Sequence, residues 1–187
     1  MRPRRPSRAG LGERLAGNLD LAFEELVADH QDALYSFVAS LSRDRGRAEE
    51  VVQDAFVRAH RALRGYEPDR VRAMAFRPWL YRLALNSFRN RLRGRRVELV
   101  LVEEVPSVAD PGAGPEASAM RRVDRDRLAG ALALLPSNQR IAVVLRFGQD
   151  LGYEDMAAIT GRPVGTVKSD VHRGLAALRQ VLAPEET

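Results

Sequence analysis

The sequence predicts an all-α protein: two small helical domains joined by a flexible acidic linker, the second containing a helix-turn-helix. Three observations predict it. Apolar residues recur at helical spacing on both sides of a central interruption, with no strand-period alternation of useful length. That interruption, from Glu98 to Ser118, is rich in acids, Pro, Gly and Ala and holds no Lys or Arg, as an exposed linker requires. Finally, in residues 151–179, LGYEDMAAITGRPVGTVKSDVHRGLAALR, the residues Ala157, Gly161 and Val167 stand at i, i+4 and i+10. They supply a small residue where two helices cross, a glycine for the turn and an apolar anchor behind the second helix.

Residues 1–18 form a basic tail, rich in Arg, Pro and Gly and without apolar periodicity, expected to be disordered. The first domain spans 19–97. Asp20 is a candidate N-cap, and Leu26, Ala33, Leu34, Phe37, Val38 and Leu41 mark the inner face of a long helix. A second helix begins near Arg47, buries Val52, Phe56, Ala59 and Leu63, and stops at Gly65. A loop from Tyr66 to Arg77 leads into a third helix that turns Trp79, Leu80, Leu83, Ser87, Phe88 and Leu92 inward. The linker occupies 98–119, and its LVLV at 99–102 reads as a docked segment rather than a strand. In the second domain, 120–184, Met120, Val123, Leu128, Ala131, Leu132 and Leu135 mark one helix. Ile141, Val144 and Leu145 mark another after Pro136-Ser137. In the last helix Val164, Val167, Val171 and Leu175 form one apolar stripe, which leaves Thr166, Lys168, Ser169, His172 and Arg173 pointing outward. Asp170 is expected beside them, where it would repel phosphate or accept from a cytosine amino group.

At 187 residues and 45% hydrophobic content the chain can bury one moderate core or two small ones. The formal charge of +5 suits a polyanionic partner, although Lys168 is the only lysine and an arginine-favouring coding sequence explains that bias equally well. No cysteine is present, which excludes disulfides and thiolate metal sites. No run is apolar enough for a membrane span or a signal-peptide core, so a soluble cytoplasmic protein without membrane partner is expected. No phosphate-cradling glycine loop, zinc spacing or nucleophile with a base is found, and His30, His60 and His172 lie on separate helices. No catalytic residue, metal, cofactor or small-molecule substrate is predicted.

Two constellations carry chemistry. Between Arg70 and Val97 lie nine arginines and no acid, interleaved with Phe76, Trp79, Tyr81 and Phe88. On the third helix Arg82, Asn86, Arg89 or Asn90, and Arg93 share one polar face; the arginines can neutralise phosphates and the asparagines can read base edges. The bland alternative is a solvated helix face. On the second helix Glu50, Gln53 and Asp54 stand at i, i+3 and i+4, a stripe unsuited to DNA and suited to a basic helical partner.

EEVVQDAFVRAHRAL at 49–63, FRPWLYRLALNSFRNRLRGRR at 76–96, LPSNQRIAVVLRF at 135–147 and the helix-turn-helix, in that order, resemble the extracytoplasmic-function group of bacterial sigma factors. The resemblance implies a non-enzymatic protein that binds core RNA polymerase and directs it to promoters. It matches Glu50, Gln53 and Asp54 to positions that contact the polymerase clamp helices. It matches the 66–77 loop and the helix after it, with Arg77, Arg82, Asn86, Arg89, Asn90 and Arg93, to the part that engages the melted −10 element, where a non-template base is extruded at a few kcal/mol of unstacking. Trp79 stands there as either core or melting wedge. Thr166, Lys168, Ser169, His172 and Arg173 match the reader of duplex −35 DNA, where relatives usually carry a basic residue at the place of Asp170. An anti-sigma factor is a further implied partner. A dimeric helix-turn-helix regulator would place a receiver or ligand domain in front of the module, and an RNA-binding adaptor would leave the module idle.

Overall fold

The computed structural model describes residues 8–42, 44–94 and 126–183, and every regular element among them is helical. The linker, including 99–102, and Met120 and Val123 lie outside the described residues.

The expected tail is not structureless from Arg8 onward: Arg8–Gly17 is helix α1. Its Leu11 and Leu15, one turn apart, are buried, so two apolar residues in an otherwise polar stretch are enough when a neighbouring groove receives them. Helix α2, Leu19–Leu41, is capped by Asn18, whose side chain accepts from Leu21 N at 3.3 Å. Asp20 is therefore not the cap; it lies in the first turn and its carboxylate faces His60 and Arg64 of the next helix at 3.2 and 3.4 Å. That helix, α3, runs Arg45–Arg64 with Asp44 as its cap, accepting from Arg47 N at 3.1 Å. Helix α4, Pro68–Arg72, starts on a proline, and α5 spans Phe76–Gly94. Helices α2, α3 and α5 pack on one another around Leu26, Leu34, Phe37, Val38, Val51, Ala55, Leu80 and Leu85, all without solvent exposure.

In the second unit α6 covers 126–134, α7 is Ser137–Val143 and runs on as a single π-helical turn, Val144–Gly148. Then follow α8, Tyr153–Thr160, and α9, Val164–Leu182. The turn between α8 and α9 rests on Gly161, whose φ of 69° lies in the left-handed region that a Cβ disfavours. Gly174 lets α9 lie close on α7, since a Cβ there would stand 2.7 Å from Val143 Cγ2. Ala131, Leu135, Val143 and Leu178 form a small cluster that seats α6, while Leu128, expected inside, is 45% exposed.

The two units share a seam. Ile141, Leu145, Leu151, Met156, Ile159, Val167 and Val171 join the apolar cluster of the first unit. The phase of α5 explains this. Tyr81 is fully buried, its ring tilted on Phe37 at a 5.1 Å centroid distance, and its hydroxyl meets Gln149 Oε1 at 2.5 Å. Burial pushes the Tyr81 hydroxyl pKa upward, against the neighbouring Arg77 charge. Arg140 adds a bond from Nη1 to the Leu41 carbonyl at 3.3 Å.

Candidate nucleic-acid and polymerase interfaces

On α9 the buried side consists of Val167, Asp170, Val171, Gly174 and Leu178, with Val164 and Leu175 half-buried at its edges. Lys168, Ser169, His172 and Arg173 are exposed and Thr166 is half-exposed, so the five predicted DNA-facing side chains form one stripe opposite the core. Ser169 Oγ donates to the Gly165 carbonyl at 3.0 Å, and Lys168 Nζ lies 5.4 Å from the centre of the Tyr153 ring on α8. Both remain open to solvent.

Asp170 does not face outward. It is 4% exposed, and its carboxylate takes Arg162 of the turn on one oxygen and Arg173 at 3.2 Å on the other. A carboxylate on the inner face is stable only if its acceptors are filled, and here an arginine from each side fills them. The pair ties the turn to α9 and holds Arg173 by one nitrogen while leaving that side chain 63% exposed. Sequence carried a signal for this: Asp170 stands three residues after Val167 and four before Gly174, which is inner-face spacing. Its charge hid the position.

On α5 the predicted face is partly open and partly engaged. Arg82, Asn86 and Asn90 are exposed and Arg89 is half-buried; Arg93 falls where side chains lie outside the described residues. Arg77, at the front of the helix, is half-buried at the seam and donates to the Gln149 carbonyl, so in this arrangement protein rather than solvent holds its guanidinium. Of the interleaved aromatics, Phe76, Tyr81 and Phe88 are core residues. Trp79 is half-buried, 6.5 Å from the Phe76 ring and 6.3 Å from Tyr66. Tyr66 in turn lies under the Arg70 guanidinium at 3.6 Å. Leu92, expected inside, is 45% exposed.

The acidic stripe of α3 is less free than its spacing implies. Gln53 is exposed, and Glu50 is exposed but pairs with Arg91 of α5. Asp54 is half-buried and accepts from Arg58 Nε at 2.8 Å. Partial burial pushes its carboxyl pKa up, but the adjacent Ser87 hydroxyl and Arg58 guanidinium outweigh this and hold it below the ordinary carboxylate value. Sequence reasoning missed the seam itself and, among its residues, Gln149 above all. It sits just after the π-helical turn, and no periodicity marks such a turn.

Among the described residues no cluster of His, Asp or Glu has metal-site geometry, and no helix is long and apolar enough to cross a membrane.

Comparison with known proteins adds identity to this geometry. Residues 26–97 match the family Sigma-70 region 2, and residues 125–178 match Sigma-70, region 4. The chain is 33% identical over 183 residues to the ECF RNA polymerase sigma-E factor of Escherichia coli, with 93% of each chain covered. Among solved structures, CnrH in complex with the cytosolic domain of CnrY is similar with a TM-score of 0.70 and 28% identity, over 95% of this chain and 98% of that one. RpoE in complex with the anti-sigma factor NepR from Bartonella quintana is similar with a TM-score of 0.69 and 27% identity, over 88% of this chain and 98% of that one.

Proposed function

The chain belongs to the extracytoplasmic-function group of RNA polymerase sigma factors, which direct promoter-specific transcription initiation, and on that premise we propose how its residues divide the work. The α8–α9 module reads duplex −35 DNA, with Lys168, Ser169, His172 and Arg173 toward bases and phosphates and Thr166 at the helix front. The α5 face captures the opened −10 strand: Arg82, Arg89 and Arg93 neutralise phosphates while Asn86 and Asn90 meet bases. Arg77 joins them once the seam parts. Glu50, Gln53 and Asp54 on α3 dock the clamp of core polymerase. Residues 19–97 and 120–184 are the two working domains and 98–119 their tether.

The observation that carries this reading is the single exposed polar stripe on α9, set opposite a core stripe and behind a left-handed glycine turn. A chain of this kind acts in the cytoplasm, catalyses nothing itself and leaves the chemistry to the polymerase. An anti-sigma protein is a further partner, supported by the structural relative bound to one. The test is gel filtration with core polymerase followed by run-off transcription from a randomised promoter library. Co-elution at one copy per enzyme with start-site selectivity is the expected result; co-elution without selectivity, or none, refutes the assignment.

A further inference from the structure

Helix α4 has little to hold it in place by itself. It is five residues long, starts on Pro68 without a side-chain cap bond, and is too short to be stable alone. Yet it forms the middle of the 66–77 loop. Its principal neighbour is α1, which lies ahead of the region 2 match at residues 26–97.

The contact between them is close. Gly12 is buried against the α4 backbone: a Cβ there would stand 3.0 Å from the Arg72 carbonyl oxygen, 3.2 Å from Arg72 Cα and 3.3 Å from the Val71 carbonyl oxygen. Backbone, unlike a flexible side chain, has little room to give way. Leu11 and Leu15 flank this glycine, and Val71 is buried on the other side. Glu13 Oε2 accepts from Arg72 Nε at 3.0 Å, while Arg72 Nη1 reaches Asp69 at 2.6 Å. Helix α1 is itself fastened to α2, through two bonds from Arg14 to Glu25 at 2.9 and 2.6 Å. A chain of contacts therefore runs from α2 through α1 to α4, and on to the front of α5, where Trp79 meets Tyr66.

We infer that α1 is a positioning element for strand capture, setting where the 66–77 loop stands against α5 through the Gly12 contact and the Glu13–Arg72 pair. This rests on the −10 role proposed above for that loop. Helix α1 touches no DNA in this account; it acts through α4.

The test uses the full chain with core polymerase and three readouts: core affinity, duplex −35 binding, and permanganate reactivity of −10 thymines as a measure of opening. Gly12→Leu forces α1 off α4 without changing any charge. Opening should fall by up to about a hundred-fold, the scale of an ångström-sized misplacement, while core affinity, −35 binding and salt dependence stay unchanged. Glu13→Arg, a surface change that leaves the core packing intact, should reduce opening by about two- to five-fold, the scale of an exposed ion pair. Glu13→Asp, which keeps the charge that Arg72 meets, should hold opening within about two-fold of the unaltered chain. Normal opening in both Gly12→Leu and Glu13→Arg overturns the inference, as does a fall in all three readouts together, which would mark a purely structural helix. If the unaltered chain leaves −10 thymines unreactive while still binding core, the −10 assignment itself falls and takes this inference with it.

Discussion

On α9 the inner and outer stripes are cleanly divided, because its neighbours α6, α7 and α8 meet its apolar side and leave the stripe of Lys168, Ser169, His172 and Arg173 exposed. On α5 three neighbours, α2, α3 and α8, press on the same nineteen residues, and the polar positions that remain are shared between solvent and protein. Helix α9 thus presents its side chains from a braced frame. The arginines of α5 instead divide into those already held, Arg77 and Arg91, and those still open, such as Arg82. The difference shows that a helix covered along one side displays its exposed face through periodicity, whereas one at a junction displays it only through its contacts.

The contrast is easiest to break at Asp170. Asp170→Ala leaves the half-buried Arg162 without its acid and should cost about 2–3 kcal/mol, Arg162 recovering part of the loss by reaching water. Urea denaturation measures it, and a loss below about 0.5 kcal/mol would mean that the frame does not depend on this pair. On the outer stripe, Ser169→Ala or Lys168→Ala should cost about 1–3 kcal/mol of binding at some promoters only. Equal loss on all duplexes in a filter-binding series would reduce these residues to phosphate contacts.

On the junction side, Tyr81→Phe removes the hydroxyl that meets Gln149 and should weaken the seam by about 1 kcal/mol. Small-angle scattering should then show a larger radius for the isolated chain. The same seam should loosen in alkali. The raised Tyr81 pKa makes its contribution complete below the unfolded tyrosine value of about 10 and lost as pH rises through the higher folded value.

The smallest effects separate the two kinds of arginine. Arg82→Ala should lower the slope of log affinity against log salt by about one, the mark of a single phosphate contact. Arg91→Ala, which breaks the pair with Glu50, should leave that slope unchanged and alter stability by less than about 1 kcal/mol. Equal slopes for the two variants would erase the distinction.

Much of the molecule was legible beforehand, and the particular residues show why. Gly161, Val167 and the outward stripe of α9 follow from local steric rules and a 3.6-residue repeat, which need no knowledge of neighbours. The same holds for the stop at Gly65 and the restart at Ser137. Asp170 misled because a lone carboxylate reads as solvent-facing until its two arginines, eight residues before and three after, are seen to converge on it. Helix α1 misled because two leucines in a basic stretch carry too little periodicity to announce a helix.

Local sequence alone therefore determined the helices, the turn chemistry and the family to which their order belongs, since caps, glycine conformations and apolar spacing act over a few residues. Only the tertiary structure decided that Tyr81 and Arg77 meet Gln149, that Glu50 is tied to Arg91, and that α1 props α4. Those contacts join residues 41 to 72 positions apart in the chain. Burial and charge pairing at such separations depend on how whole helices pack, which no short stretch of residues encodes.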